Sequence, residues 1–264
     1  MLRCRPWLSA TLLAGLSWLA SACSEAPAPR PLLVAAAVSL ARPLQDIAAA
    51  EAPGSRAGPP LQFHFASSGA LQQQILQGAP VDVFLSAGQR QMDALQGAGR
   101  LLPGSCRELF SNELVLVVPV RSSRRTLSFE GLAGPELRSI AIGDPSAPVG
   151  DYARQVLSAL GLSAAVTPKL VPLGSARAVA QAVAQGHVQA GLVYRSEAQA
   201  DDGLRITAAA PAGSHGPIRY LGAVLTSSGN PAAAQAYLRS LAEPPARENF
   251  RRHGFGVPEP SPQP

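Results

Sequence analysis

Four places along the chain combine a glycine or a hydroxyl group with the first turn of an expected helix. Each follows an apolar run that is typical of a buried strand. The four helix starts are Ser39, Ser68–Gly69, Val149–Gly150 and Ser175–Ala176. A helix begins with backbone N–H groups that have no acceptor in the helix, and it carries partial positive charge there. Such a start can bind an anion when a ligand can reach it.

The donors at these starts favour an anion that carries no proton of its own. Ser39 and Ser68 add hydroxyl groups, and Gly69, Gly150 and Ala176 are small enough for a ligand to approach the backbone. Backbone N–H groups donate and cannot accept. Molybdate, tungstate and sulfate offer only acceptors at neutral pH, whereas phosphate keeps a proton that needs an acceptor, usually a carboxylate. The pattern therefore predicts a site for a tetrahedral oxyanion.

Purely structural interpretations of the same residues stay open. Serine is among the best N-cap residues, so Ser39 could serve only to begin its helix. Ser67 could share or replace the contact that we expect of Ser68. Tyr194 ends an apolar strand and could be an ordinary half-buried tyrosine, and Arg177 is expected to be solvated.

The elements that must position these residues follow the pattern of an α/β protein. Apolar runs alternate with helical patterns from Leu32 onward, and continuous apolar strands favour mainly parallel sheets. The alternation restarts after the polar segment RSSRRTLS. We expect two lobes, with limits at 32–111 plus 220–257 for the first and 112–219 for the second. Two crossings, near Asn112–Val118 and Gly216–Ala223, would leave a ligand cleft between the lobes and permit hinge closure on the ligand.

The N-terminus predicts export from the cytoplasm. Arg3 and Arg5 precede the apolar run WLSATLLAGLSWLASA, which is shorter than a typical membrane span. This layout is that of a secretory signal peptide over residues 1–22.

Cys23 follows the signal and has two interpretations. The segment LASAC resembles a bacterial lipoprotein box, in which Cys23 would carry lipid, and ordinary cleavage before Cys23 is the alternative. Residues 23–31 form a proline-rich tether, and residues 258–264 are expected to be a disordered tail. We therefore expect a periplasmic protein, tethered to a membrane if Cys23 is lipidated.

Composition and absent motifs exclude several functions. The net charge is +5, but the basic residues are scattered and only 5% of residues are aromatic, so no nucleic-acid binding is predicted. Three cysteines support no disulfide framework, and no His/Cys cluster has metal-ligand spacing. The sequence lacks a G-x-S-x-G elbow, a P-loop and a dinucleotide fingerprint. We predict a binding protein without a cofactor or catalytic activity, and a secreted serine hydrolase is the distant alternative.

Several segments resemble, in order and with similar spacing, the periplasmic molybdate-binding component of bacterial molybdate ABC transporters. They are AAAVSLARPLQDIA, FASSGALQQQI, GAPVDVFLSA, GDPSAPVGDYA, AGLVY and FRRHGF. The resemblance extends from about Leu32 to Val257. It implies a two-lobed periplasmic-binding-protein fold, molybdate or tungstate held by hydrogen bonds between the lobes, and an ABC permease as the partner. A monomer is expected.

The resemblance also implies roles for individual residues. The family's binding serines match Ser39 and Ser68, two backbone donors match Val149 and Ala176, and the binding tyrosine matches Tyr194. Alanine is commoner at the position of Val149, and valine at that of Ala176. If both donate through their backbone N–H groups, these departures affect cleft packing more than ligand class. Sulfate or another tetrahedral oxyanion stays as the alternative ligand.

Overall fold

The computed structural model describes residues 30–50 and 58–258. The predicted signal peptide, Cys23, most of the predicted tether and the predicted tail beyond Pro258 lie outside these residues. Within the described ranges, no helix has both the length and the apolar character needed to cross a membrane. The sequence-based predictions about export and lipidation stay predictions.

The first sheet has five strands in the order β2-β1-β3-β10-β4. Their bounds are β1 Leu32–Ala37, β2 Leu61–Ala66, β3 Val83–Ser86, β4 Arg107–Asn112 and β10 Ile218–Val224. Lobe 1 is this sheet with five helices, which are α1 Ala41–Ala50, α2 Ser68–Leu76, α3 Gln89–Gly97, α8 Pro231–Ser240 and α9 Pro244–Arg252. A single 3-10 turn, Val38–Leu40, joins β1 to α1.

The second sheet repeats this arrangement, with its five strands in the order β7-β6-β8-β5-β9. Their bounds are β5 Leu114–Pro119, β6 Ile140–Gly143, β7 Leu170–Leu173, β8 Ala190–Tyr194 and β9 Leu204–Ala209. Lobe 2 is this sheet with four helices, which are α4 Pro148–Ala159, α5 Ser163–Val166, α6 Ala176–Ala184 and α7 Arg195–Gln199. Two 3-10 turns, Glu130–Ala133 and Thr167–Lys169, lie in its connections.

Both sheets are mixed, so the prediction of mainly parallel sheets is wrong. In the first, β1 pairs in parallel with β2 and β3, whereas β10 runs antiparallel to β3 and β4. In the second, β6 pairs in parallel with β7 and β8, whereas β5 runs antiparallel to β8 and β9. The physical reason is the crossing of the chain: β5 and β10 each arrive from the other lobe and enter their sheet in the reverse direction.

The two lobes are connected by short crossings. Strand β4 ends at Asn112 and β5 begins at Leu114, so a single residue separates the two sheets. The sequence pattern predicted β5 but not β4. The chain returns to lobe 1 at Ile218, where β10 begins, two residues before the limit that the sequence predicts.

Apolar side chains pack on both sides of the sheets and also between the lobes. Leu71 and Met92 belong to a buried cluster of lobe 1, and Val179 and Val183 to one of lobe 2. The largest cluster contains buried residues of both lobes, including Leu40, Phe110, Leu116, Leu192 and Tyr194. Apolar packing therefore joins the lobes in addition to the two crossings.

Five parallel strands end at the boundary between the lobes. Strands β1 and β2 lead to Ser39 and Ser68, strands β6 and β7 lead to Val149 and Ala176, and Tyr194 is the last residue of β8. Ligands of open α/β sheets bind outside the carboxyl ends of their strands. The topology thus places all five predicted site residues where this fold class binds ligands.

Candidate functional site

A small cavity between the lobes is lined by all five predicted ligand-binding residues: Ser39 and Ser68 of lobe 1 and Val149, Ala176 and Tyr194 of lobe 2. Each is at most 7% exposed. The cavity has a volume of about 20 Å³, compared with the roughly 10–15 Å³ that one water molecule requires. A space of this size suits an ion of a few atoms and excludes a sugar or an amino acid.

The lining of this cavity is uncharged. Its other members are Ala37, Val38, Ser67, Ala87, Ala147, Pro148 and Ser175. Among the described residues, no carboxylate and no basic side chain lines the space. Hydroxyl groups and backbone amides therefore supply its polarity.

Ser67 and Ser68 have different roles. The Ser67 side chain caps α2 by accepting a hydrogen bond from the Ala70 N–H at 3.3 Å. The Ser68 Oγ accepts the Ala87 N–H at 3.0 Å, so the hydroxyl hydrogen of Ser68 is free to donate to another acceptor. The sequence favoured Ser68 over Ser67 as a ligand donor, and this geometry is consistent with that choice.

Ser39 does not act as a helix cap. The 3-10 turn that contains it has Ala37 at the N-cap, without a side-chain hydrogen bond. The Ser39 Oγ instead lies 3.0 Å from the Tyr220 Oη. The capping interpretation of Ser39 is therefore wrong, because its hydroxyl turns toward a tyrosine of β10 and the cavity.

Helices α4 and α6 direct their first turns at the cavity. Helix α4 begins at Pro148 after Ala147, which makes no side-chain cap. Helix α6 begins at Ala176 after Ser175, whose side chain accepts the Ala178 N–H at 3.2 Å. Because Val149 and Ala176 lie in first turns, their N–H groups have no acceptor within their own helices.

Tyr194 brings a buried hydroxyl group to the cavity. It is 2% exposed, and its Oη has no hydrogen-bond partner within the described part of the chain. Burial holds the pKa of Tyr194 well above its ordinary value, and the nearby Tyr220, Tyr152, Asp151 and Glu197 act in the same direction. The hydroxyl thus keeps its proton at neutral pH and is a donor. A buried polar group without a partner is costly, so this hydroxyl points to a ligand.

Two glycines that the sequence assigned to ligand approach have a different role. A Cβ at Gly69 would lie 2.1 Å from the Ser146 carbonyl oxygen, which belongs to lobe 2. A Cβ at Gly150 would lie 2.2 Å from the Gly143 carbonyl oxygen at the end of β6. These glycines therefore allow the chain to approach itself, at Gly69 across the lobe boundary, and neither of them is among the residues that line the cavity.

Hydrogen bonds and an ion pair cross the lobe boundary beside Gly69. On α3, Arg90 lies 2.8 Å from Asp151 and donates to the Pro145 carbonyl at 3.0 Å. Gln91 donates to the Ser146 carbonyl at 3.4 Å. Burial raises the pKa of Asp151, while Arg90 and Arg154 act in the opposite direction. Arg90 is largely exposed, so this pair contributes at most about 1 kcal/mol to closure.

Charged side chains lie near the cavity without lining it. Arg177, expected to be solvated, is half-buried and lies 4.0 Å from the buried Glu197. Burial raises the pKa of Glu197 above its ordinary value, and the nearby Arg177 and Arg42 reduce this shift without reversing it. Asp144 accepts hydrogen bonds from Ser146 and Ala147, as a turn residue does. No group of acidic, histidine or cysteine side chains within the described ranges could hold a metal ion.

A much larger cleft, about 1180 Å³, lies on the other side of Pro148. Arg90, Arg154, Arg219 and His215 are among its lining residues. The solvent-exposed guanidinium groups of Arg90 and Arg219 differ from the buried donors of the small cavity, and the cleft is far larger than a four-oxygen ion. The small cavity is the better candidate because it contains the buried hydroxyl of Tyr194, for which the described part of the chain offers no hydrogen-bond partner.

The residues that hold the two site serines in place were not predicted from the sequence. Tyr220 and Asn112 support Ser39, and Ala87 supports Ser68. No local pattern could reveal a contact between residues that lie 181 positions apart.

A protein-family model and a named relative both match most of this chain. The model of the bacterial extracellular solute-binding protein family matches residues 32–256. The molybdate-binding protein ModA of Escherichia coli (strain K12) is 33% identical over 261 residues, which cover 96% of this chain and 99% of the relative.

Solved structures agree with the fold. The periplasmic molybdate-binding protein of Azotobacter vinelandii is 26% identical, with a TM-score of 0.76 over 86% of this chain and 100% of its own. The sulfate-binding protein SubI of Mycobacterium tuberculosis H37Rv has a TM-score of 0.73 over 87% of both chains. Its identity is 16%, so this likeness concerns the fold alone.

Substituting Gly69→Ala should hinder closure of the lobes. The added methyl would collide with the Ser146 carbonyl, so we expect the affinity for the ligand to fall about tenfold or more. We expect the lobes to separate when no ligand is bound, so the midpoint of thermal unfolding without ligand should change little. Gly97→Ala on α3 is the matched control, since no atom of the described residues outside the local helix lies within 4 Å of its Cβ position. Equal affinities of the two variants, measured by calorimetry, would contradict the role assigned to Gly69.

Substituting Ala176→Pro tests the backbone donor of α6. Proline is well tolerated at the first position of a helix, and the preceding Ser175 has the extended backbone that proline requires. The substitution removes one N–H from the cavity, and we expect at least about a tenfold loss of affinity with the fold retained. Gln89→Pro makes the same change at the start of α3 and should bind normally. Unimpaired binding by Ala176→Pro would show that α6 does not contact the ligand.

Ligand affinity should stay constant from pH 7 to about pH 10, where an ordinary tyrosine is half ionised. The Tyr194 hydroxyl donates only while protonated, and its raised pKa moves the loss of that proton to higher pH. A bound anion would raise this pKa further. Calorimetric titrations at several pH values test this, with Tyr194→Phe as the control that lacks the hydroxyl. A fall in affinity centred near pH 8 would contradict a site made of hydroxyl and amide donors.

Proposed function

Because the chain belongs to the family of bacterial extracellular solute-binding proteins, we propose that it binds molybdate or tungstate between its lobes and delivers the ion to an ABC permease. Relatives named as molybdate-binding proteins support this assignment. The proteins it resembles are binding proteins and not enzymes.

One observation carries the proposal. A cavity of about 20 Å³ is lined by donors from both lobes and contains the buried hydroxyl of Tyr194, which has no hydrogen-bond partner among the residues that the structure describes. Two serine hydroxyls and two helix starts complete the donor set. Hydrogen bonds to a charged group contribute about 1.5–3 kcal/mol each. A handful of them supports micromolar affinity, about 8 kcal/mol, after the cost of ordering the ligand.

The same donor set favours a dianion over a protonated anion. A proton on the ligand would need an acceptor, and no carboxylate among the described residues lines the cavity. Phosphate is therefore disfavoured. Sulfate has the same charge and shape as molybdate but is smaller, so the two must be separated by the fit of the donors. The sulfate-binding neighbour shares the fold, which makes sulfate the alternative to test.

Capture by lobe closure supplies the mechanism. An open form would bind the ion on one lobe, and the second lobe would then close to complete the set of donors. Direct contacts between the lobes, such as Arg90 with Asp151 and Gln91 with Ser146, accompany the closed arrangement. A permease that recognises the closed form would then receive loaded protein in preference to empty protein.

Export to the periplasm completes the proposal. The predicted signal peptide would place the protein outside the cytoplasm, and lipid on Cys23 would keep it near its permease. Mass spectrometry of the mature N-terminus decides between lipidated and free Cys23.

Calorimetric titration of the purified, delipidated protein with molybdate, tungstate, sulfate and phosphate tests the ligand. We expect molybdate and tungstate to bind with micromolar or tighter affinity, sulfate at least about a hundredfold more weakly, and phosphate not detectably. The reason is an uncharged, fixed set of donors that suits a larger, unprotonated ion. Tighter binding of sulfate than of molybdate would overturn the assignment and favour the sulfate alternative.

The double variant Ser39→Ala, Ser68→Ala is the control for the location of this binding. It removes both lobe 1 hydroxyls from the cavity, and molybdate binding should be lost while the far-UV circular dichroism stays the same. Ser67→Ala removes only the cap of α2, so it should lower stability by about 1 kcal/mol and leave binding nearly intact. Unchanged molybdate affinity in the double variant would place the site elsewhere.

A further inference from the structure

A chain of hydrogen bonds runs from the lobe crossing to the cavity. The Asn112 Nδ2 lies 3.4 Å from the Tyr220 Oη, and the Tyr220 Oη lies 3.0 Å from the Ser39 Oγ. Tyr220 is fully buried, Ser39 is 7% exposed and Asn112 is half-buried. The three side chains come from β4, β10 and the 3-10 turn after β1.

The direction of this chain follows from the chemistry of its members. The Asn112 Oδ1 accepts the Glu113 N–H at 2.9 Å, which turns Nδ2 toward Tyr220 and Ser196. An amide nitrogen only donates, so the Tyr220 oxygen must accept from Asn112. Burial raises the pKa of Tyr220, so this phenol keeps its hydrogen. That hydrogen is directed to the Ser39 Oγ.

The hydrogen bond from Tyr220 determines what the Ser39 hydroxyl can do in the cavity. Because the Ser39 oxygen accepts from Tyr220, the hydroxyl hydrogen of Ser39 is left for an acceptor in the cavity. Without Tyr220, the Ser39 hydroxyl would be free to rotate and could present a lone pair to an incoming anion. A hydroxyl with a fixed orientation contributes more to the binding free energy than a rotating one, because no entropy is lost in ordering it when the ligand binds.

We propose that Asn112 and Tyr220 are positioning residues that fix Ser39 as a hydrogen-bond donor to the bound oxyanion, an inference that rests on the proposed function. Asn112 is the last residue of β4, directly before the crossing, and its Nδ2 also donates to Ser196 of lobe 2 at 2.8 Å. The same amide group thus contacts both lobes. Through these contacts, the orientation of the Ser39 hydroxyl depends on the closed arrangement of the lobes.

A double-mutant cycle between Tyr220→Phe and Ser39→Ala tests the proposal. Tyr220→Phe keeps the ring and removes only the hydroxyl, and we expect about a tenfold loss of molybdate affinity. In the Ser39→Ala protein, the same change should alter affinity less than about twofold, because the donor that it orients is already gone. A role limited to stability would give equal losses in both backgrounds. Equal losses would therefore overturn the proposal.

A second variant keeps the test decisive if Tyr220→Phe folds poorly. Asn112→Asp retains the acceptor for Glu113 but replaces the donor with a carboxylate oxygen. Tyr220 would then donate to the carboxylate, Ser39 would donate to Tyr220, and affinity should fall more than about tenfold. The same change in the Ser39→Ala protein measures the effect of the added charge alone. Equal losses in the two backgrounds would again overturn the proposal.

Controls separate this inference from the proposed function. Tyr152→Phe removes another buried tyrosine hydroxyl, which donates to the Pro217 carbonyl at 3.3 Å and does not line the cavity. It should leave molybdate affinity within about twofold of the unaltered protein. If the unaltered protein binds molybdate and the effects of Tyr220→Phe and Ser39→Ala on affinity simply add, only the positioning roles are overturned. Failure of the unaltered protein to bind molybdate, tungstate or sulfate would overturn the proposed function and this inference together.

Discussion

A dianion that leaves water without a counter-charge must receive hydrogen bonds at all its oxygens. The penalty for burying an unpaired charge is several kcal/mol, and hydrogen bonds to the charged group must offset it. Donors on one surface reach only one side of a tetrahedral ion. The candidate site meets this constraint by drawing Ser39 and Ser68 from one lobe and Val149, Ala176 and Tyr194 from the other.

The architecture of the protein suits this requirement of the proposed ligand. Both sheets place the carboxyl ends of their parallel strands at the lobe boundary, so both offer helix starts and loop residues to the same space. The lobes must also approach very closely, which is why the position facing the Ser146 carbonyl is a glycine. The single residue between β4 and β5 keeps the two halves close together at this crossing, and the proposed lobe closure would require rotation there.

Much of this arrangement could be predicted from local sequence. The alternation of apolar runs and helical patterns indicated β1, β2 and β6 with the helices that follow them, and it indicated β8 but not the short helix α7 after it. Helix starts with serine or glycine indicated where donors would lie. Ser68 was preferred to Ser67 because it directly precedes Gly69, whereas the role of the Ser67 side chain as the cap of α2 is visible only in the structure.

What could not be predicted depends on contacts between distant parts of the chain. The pairing of Ser39 with Tyr220, the contact of Gly69 with Ser146 and the antiparallel entry of β5 and β10 all arise when the two lobes form and meet. The capping interpretation of Ser39 was wrong for this reason, since its local sequence looks like a helix start. Tertiary partners, and not propensity, decide the direction in which such a hydroxyl points.

The most direct test is diffraction from crystals grown with molybdate, using the anomalous signal of molybdenum. We predict a single strong peak in the small cavity, with ligand oxygens within about 3.2 Å of the hydroxyl oxygens of Ser39, Ser68 and Tyr194. A peak confined to the large cleft beside Arg90 and Arg219, with none in the small cavity, would contradict the site described here.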